Sequence, residues 1–436
     1  MVDDVSLLRS TATIRERCGN ITCAVSEGRS PHFALERRRL ADVAQRVEAV
    51  TRANYPDLRI PYHSRWRHFE AGGVDRKGEL DALLAGRPVA EQARARVDLT
   101  LVSVLLDAGA GADWRYQEGL LPRAGGGLGW GSNAGTSPAP HPHPGLPPPR
   151  GKGSYTRSEG LGVASFRAFM QGRFSSDPGD PLRVDAAALQ RVDAALLADI
   201  FQAGDANPLV GLEGRATLLR RLGDTLAAQP ETFGAEGRPG ALFDALTQQG
   251  TITELPATAV LSALLATLGA IWLTGQTLGN TPLGDCWPHP QAGGEGATAN
   301  RVPFHKLSQW LTYSLLEPFE WAGMTLTHVD GLTGLPEYRN GGLLLDGGVI
   351  VARDPAFASM HRWQAGDEFI VEWRALTVTL LDELAPLVRA RLGVSAEQMP
   401  LARVLEGGTW AAGRQIAQEL RDGAPPLVIE SDGTVF

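Results

Sequence analysis

Residues 328–351, HVDGLTGLPEYRNGGLLLDGGVIV, set two carboxylates, a ring, a guanidinium and a glycine pair beside an apolar run. Asp330 and Glu337 supply acid and base groups, and Tyr338 and Arg339 supply a planar ring and a permanent cation. Asn340-Gly341-Gly342 is a turn type that exposes backbone N–H groups. These are parts for acid–base chemistry on a polar ligand, and the stretch reads as the floor of an active site. The competing reading is a solvent-facing turn with solvated charges. Residues 60–76, IPYHSRWRHFEAGGVDR, add His63, Arg65 and Arg67 among aromatic rings, a mixture suited to an anionic or planar ligand. Asp107 closes a segment that grows steadily more apolar, either as a cap for the following turn or as a pocket carboxylate, and Trp114 follows it among charges. Farther on, a helix begun near Phe304 puts His305, Gln309 and Thr312 on one face as a polar stripe, with Lys306 and Trp310 close by.

The elements that must position these residues are mostly helical. Apolar residues recur at helical spacing over residues 33–50, 89–108, 185–202, 212–228, 241–248, 258–274 and 368–392, with shorter helices at 400–406 and 409–421. Ser158 is placed to cap a helix through SEGLGVASFRAFMQG. Strand signals are sparse: the tail at 427–430 has β-branched residues and could pair with a segment of 344–351. The expected fold is therefore mainly α, a multi-helix globular domain with at most a small sheet. It is expected as one compact unit over residues 1–436, with the Gly/Pro-rich stretch 125–153 as a flexible insertion whose His141 and His143 carry little weight as metal ligands.

Composition narrows the function classes. A formal net charge of −8 argues against an overall grip on nucleic acid or an anionic membrane surface. Three cysteines give neither a disulfide framework nor paired zinc ligands, and the acidic start lacks a signal-peptide pattern, so a cytoplasmic protein is expected. No phosphate-binding glycine loop, His-Glu-x-x-His motif or Gly-x-Ser-x-Gly elbow occurs, so no cofactor or metal is expected, and the oligomeric state is left open.

Five long segments carry a resemblance: IPYHSRWRHFEAGGVDR, SVLLDAGAGADWRYQEG, YTRSEGLGVASFRAFMQGRF, FHKLSQWLTYSLLEPFEWAG and LTGLPEYRNGGLLLDGGV. Together they resemble the uracil catabolism protein 4 family of fungi and bacteria over nearly the whole chain. That resemblance implies a pathway in which the uracil ring is opened while attached to ribose, leaving a ribosylurea-type intermediate from which urea must be released. LPEYRNGGLLLDGGVIV is also similar to the Asp-Tyr-Arg segment of the queuosine salvage proteins, mostly helical N-glycosidases related in fold to DNA glycosylases. Glu337 stands where that family has Asp, and Tyr338 and Arg339 match it.

The resemblances imply an N-ribosyl hydrolase acting on ribosylurea or its 5′-phosphate, a small ribosyl substrate. Its transition state develops positive charge on the sugar as the C–N bond breaks, which calls for a nearby carboxylate. Glu337 or Asp330 is expected to meet that charge, and the other carboxylate or Asp107 to handle the leaving-group proton. Arg339, Arg65, Arg67, His305 and Lys306 are expected to grip phosphate or ribose hydroxyls, with His63, Gln309, Asn340 and Trp114 also binding substrate and Trp310 and Tyr338 as walls. The rivals are a metal-assisted ring-opening or deaminating enzyme and a non-catalytic ligand sensor or assembly partner.

Overall fold

A computed structural model describes residues 3–111, 113–119, 153–273 and 276–430. The insertion expected over 125–153 lies outside them except for Gly153, as do His141 and His143. The fold is mainly α, with small two-stranded sheets among the described residues. No described helix is long and apolar enough to cross a membrane. The chain contacts cluster into two compact units, Met1–Ser64 with Phe243–Phe436, and Arg65–Leu242.

The first unit is built around the longest described helix, Glu368–Leu392, which packs against Thr11–Ser26, Leu40–Asn54 and Tyr338–Asp346. Its apolar side joins Val371, Ala375 and Val378 to Ile14, Cys18, Ile21 and Phe304 in a fully buried cluster, in which each Val, Ile or Phe side chain contributes about 1.5–3 kcal/mol. The helix stops at Gly393, whose φ of 73° is the left-handed conformation that ends a helix without a Cβ penalty. Tyr338–Asp346 lies on Trp410–Arg421 so closely that a Cβ on Gly413 would collide with the carbonyl oxygen of Arg339. Between Leu401–Val404 and Trp410–Arg421 the chain makes a π-helical turn, Leu405–Thr409.

In the second unit, Val89–Leu105, Arg157–Met170 and the short Arg65–Phe69 helix pack together, joined by the rings of Trp66, Phe69 and Phe166. Leu212–Ala227 packs on Ala186–Leu189 and Ala194–Ile200. Arg215 is wholly buried and donates to the carbonyls of Leu106 (2.9 Å) and Ala108 (2.9 Å), closing the helix end that precedes Asp107. Buried main-chain oxygens need such partners.

Several expected elements shift. Residues 33–50 are not one helix: Phe33–Leu35 is a strand, antiparallel to Ile350–Ala352, and the helix runs Leu40–Asn54. The tail strand Val428–Ile429 pairs in parallel with Arg362–Trp363 and not with the 344–351 segment, of which Ile350–Ala352 pairs with Phe33–Leu35. Thr156, not Ser158, occupies the N-cap position of Arg157–Met170, and residues 185–202 form two short helices. Residues 65–69 are helical and buried.

Candidate active site

The loop that leads to the chemically rich segment crosses the interior of the first unit, so its carbonyls need internal donors. Arg15 supplies three, to Asp330 (3.1 Å), Gly331 (2.9 Å) and Leu332 (2.7 Å), while pairing with Asp382 at 2.8 Å. Tyr313 Oη donates to Thr333 O at 2.9 Å, Asn340 Nδ2 to Leu335 O at 3.2 Å and Arg374 Nε to Pro336 O at 3.4 Å. Arg374 is itself fixed by a two-pronged pair with Asp285, both contacts 2.7 Å, and lies 4.1 Å over the Phe304 ring. Burial pushes the Asp285 carboxyl upward, but the Arg374 charge and hydrogen bonds outweigh it and hold the pKa at about 2.

Within this frame the residues singled out from the sequence take definite positions. Glu337 is the N-cap of Tyr338–Asp346: its oxygens accept from Arg339 N (2.8 Å) and Asn340 N (2.7 Å). Asp330 accepts from Leu401 N (2.5 Å) and Arg389 Nη2 (2.8 Å), tying the loop to the Leu401–Val404 helix. Arg339 lies 5.1 Å over the Tyr338 ring. Asn340 is fully buried and accepts from Thr409 Oγ1 at 2.8 Å, so the π turn is fastened to the start of the helix that Glu337 caps.

The polar stripe expected from His305 is enclosed. His305 Nε2 meets Leu8 O at 2.9 Å, its pKa lowered by burial, and Thr312 Oγ1 donates to Ser308 O. Lys306 uses its backbone N–H on Asp285, and Trp310 is 5% exposed. Gln309 accepts from Thr333 N at 3.4 Å, yet Gln309 Nε2 and Thr333 Oγ1, both fully buried, have no hydrogen-bond partner among the described residues.

Arg65, Arg67, Asp107 and Trp114 belong to the second unit. There Arg65 pairs with Asp107 at 3.1 Å and donates to Ser103 Oγ at 2.7 Å and Ser158 O at 3.1 Å. Asp107 Oδ1 is buried without a hydrogen-bond partner among the described residues. Arg67 pairs with Glu70 at 3.0 Å, and Trp114 Nε1 donates to Phe201 O at 3.0 Å. This unit also holds a cavity of 660 Å³ bordered by Tyr116, Glu118, Arg167 and Arg173. Its charges are already paired, Arg167 with Glu79 and Glu118, and Arg173 with Asp199.

Sequence reasoning named His63 but missed the carboxylates gathered around it in the first unit. Three successive residues each engage a different carboxylate: Tyr62 Oη donates to Glu320 at 2.8 Å, His63 Nδ1 meets Glu406 at 2.9 Å, and Ser64 Oγ donates to Glu317 at 2.6 Å. Glu317 and Glu320 are one turn apart on Lys306–Trp321, hence on one face. Glu406 lies in the π turn and also accepts from Tyr55 Oη at 3.0 Å. Glu317 and Glu406 are buried, at 8% and 2% exposure, while Glu320 shows an exposed surface. Burial of its carboxyl and the neighbouring Glu317 charge nevertheless raise the Glu320 pKa, against the Tyr62 hydrogen bond. The available signals were the Glu317/Glu320 spacing in LLEPFEW and a glycine pair, 407–408, inside a helical pattern. Among the described residues no group of three or more His, Cys, Asp or Glu side chains could hold a metal ion.

Residues 7–436 match the family described as "Protein of unknown function (DUF1688)". Over 465 residues the chain is 35% identical to uracil catabolism protein 4 of Lachancea kluyveri, with 99% of each chain covered. It is 37% identical over 444 residues to protein urg3 of Schizosaccharomyces pombe, covering 100% of this chain and 99% of that one.

Proposed function

This chain belongs to the DUF1688 family, that of uracil catabolism protein 4, and on that premise we propose that it is a uracil catabolism enzyme, an N-ribosyl hydrolase that releases urea from ribosylurea or its 5′-phosphate. The observation that carries the chemical part of the reading is the gathering of Glu317, Glu320 and Glu406 on Tyr62, His63 and Ser64. Breaking an N-glycosidic bond needs a fixed negative charge near the sugar and an acid for the departing nitrogen, and carboxyl groups with different environments divide those two tasks. Glu317, enclosed and held by Ser64, takes the first task. Glu320, with its raised pKa, takes the second.

In this reading Glu317 and Glu320 replace the pair Glu337 and Asp330. Both oxygens of Glu337 are spent on backbone N–H groups, and Asp330 is spent on Leu401 N and Arg389. The test is to incubate purified protein with ribosylurea and, separately, with its 5′-phosphate, and to assay urea. Urea from at least one substrate, with kcat reduced about 100-fold or more in Glu317→Gln, is the expected result. No urea from either overturns the reading.

A further inference from the structure

His63 is held as an oriented imidazole. Its backbone N–H donates to Ala402 O at 3.0 Å, and the Trp410 ring lies 6.2 Å away, centroid to centroid. Nδ1 faces Glu406 Oε2 at 2.9 Å, while the other carboxylate oxygen accepts from Tyr55 Oη at 3.0 Å. A carboxylate only accepts, so Nδ1 is the donor to Glu406, and in the neutral form of the ring the acceptor lone pair is on Nε2. Nε2 makes no hydrogen bond among the described residues and is not one of the fully enclosed, unpartnered atoms, although His63 as a whole is buried, at 8% exposure. This is the arrangement by which a carboxylate fixes tautomer and orientation for a histidine that moves protons at its other nitrogen.

The π turn supports that placement. A Cβ on Gly407 would stand 2.9 Å from Ile60 Cδ1, and one on Gly408 would stand 2.5 Å from Thr51 Oγ1 and 2.6 Å from Val47 Cγ1. Only glycines let the turn settle against Leu40–Asn54 and the segment that carries His63. The same turn sends Glu406 to His63 and Thr409 to Asn340, in a kind of helix distortion that recurs at functional sites.

We propose that His63 Nε2 is the proton acceptor that activates the attacking water, with Glu406 as its positioning residue. The proposal rests on the N-ribosyl hydrolase reading. As the C1′–N bond breaks, its electron pair stays on the urea nitrogen, which takes the proton of Glu320. The water oxygen bonds C1′, and its proton passes to Nε2. The imidazolium then returns that proton to the Glu320 carboxylate through solvent, and both groups are reset.

Two measurements test it on the full chain. First, diethyl pyrocarbonate labelling of the wild type, read by peptide mass spectrometry, should modify His63 ahead of His289 and His305, which are only 1% and 3% exposed. A His63 no more reactive than those two overturns the proposal. Second, in the urea assay His63→Ala should lower kcat about 100-fold with KM unchanged, and added imidazole should restore part of the rate. Glu406→Gln should lower kcat about tenfold or more with KM unchanged. Rescue by imidazole and the split between kcat and KM are effects that a merely structural role would not produce. Wild-type kcat in His63→Ala, or a change in KM alone, overturns the proton role and leaves the hydrolase reading standing. No urea from the wild type overturns the hydrolase reading and the proton role with it.

Discussion

Asp285 and Arg374 form the pair on which the interior loop is hung, and they are buried at 9% and 0% exposure. Asp285→Asn leaves the guanidinium without its counter-charge, and the expected cost is about 3–5 kcal/mol in chemical denaturation. The pair also has a pH signature. Asp285 is held at about 2 in the folded chain against an ordinary 3.8. Its stabilisation is therefore present above 3.8 and lost as pH falls toward 2, a change of roughly 2 kcal/mol that the Asp285→Asn variant should lack when melting is followed from pH 5 to pH 2. The residue types of the candidate site were legible in the sequence, but their jobs were not. Glu337 reads as a reactive carboxylate until the helix start is fixed at Tyr338, when it becomes a cap. Nothing local to Glu406 could announce His63, 343 residues away in sequence.

At the scale of elements, periodicity was a good guide where one face is continuously apolar. Glu368–Leu392 runs over the residues expected, since its buried side carries Ile370, Trp373, Leu381 and Val388 and Gly393 ends it. Periodicity failed where pairing with a distant segment decides the outcome, as for Phe33–Leu35, which fits a helical pattern yet finds a partner in Ile350–Ala352. The trace of the π turn in the sequence is the glycine pair 407–408 inside a helical pattern, which does not by itself tell a π turn from a break. Its glycines can be tested. Gly408→Ala should cost about 1–3 kcal/mol by overpacking against Val47 and Thr51. Because the turn also aims Glu406, kcat in the urea assay should fall more than the lost stability explains, while Gly204→Ala, at an exposed glycine without a positive φ where an added Cβ meets nothing, should leave kcat unchanged.

At the scale of the whole molecule, the alignments with the relatives span nearly the whole chain and so cover residues of both compact units. The segments that carried the resemblance are distributed the same way: SVLLDAGAGADWRYQEG lies in the second unit and LTGLPEYRNGGLLLDGGV in the first, while IPYHSRWRHFEAGGVDR crosses from Ser64 into Arg65. The central claim is that the working carboxylates are those gathered on residues 62–64 and that Glu337 is a cap. The most direct test is to compare Glu317→Gln and Glu337→Gln side by side for urea release from ribosylurea and its 5′-phosphate, with thermal melting of both variants. The account predicts that Glu317→Gln loses about 100-fold or more in kcat at near wild-type stability, whereas Glu337→Gln loses about 1 kcal/mol of stability and less than about tenfold in kcat. Full activity in Glu317→Gln, with kcat abolished in a stably folded Glu337→Gln, would contradict it.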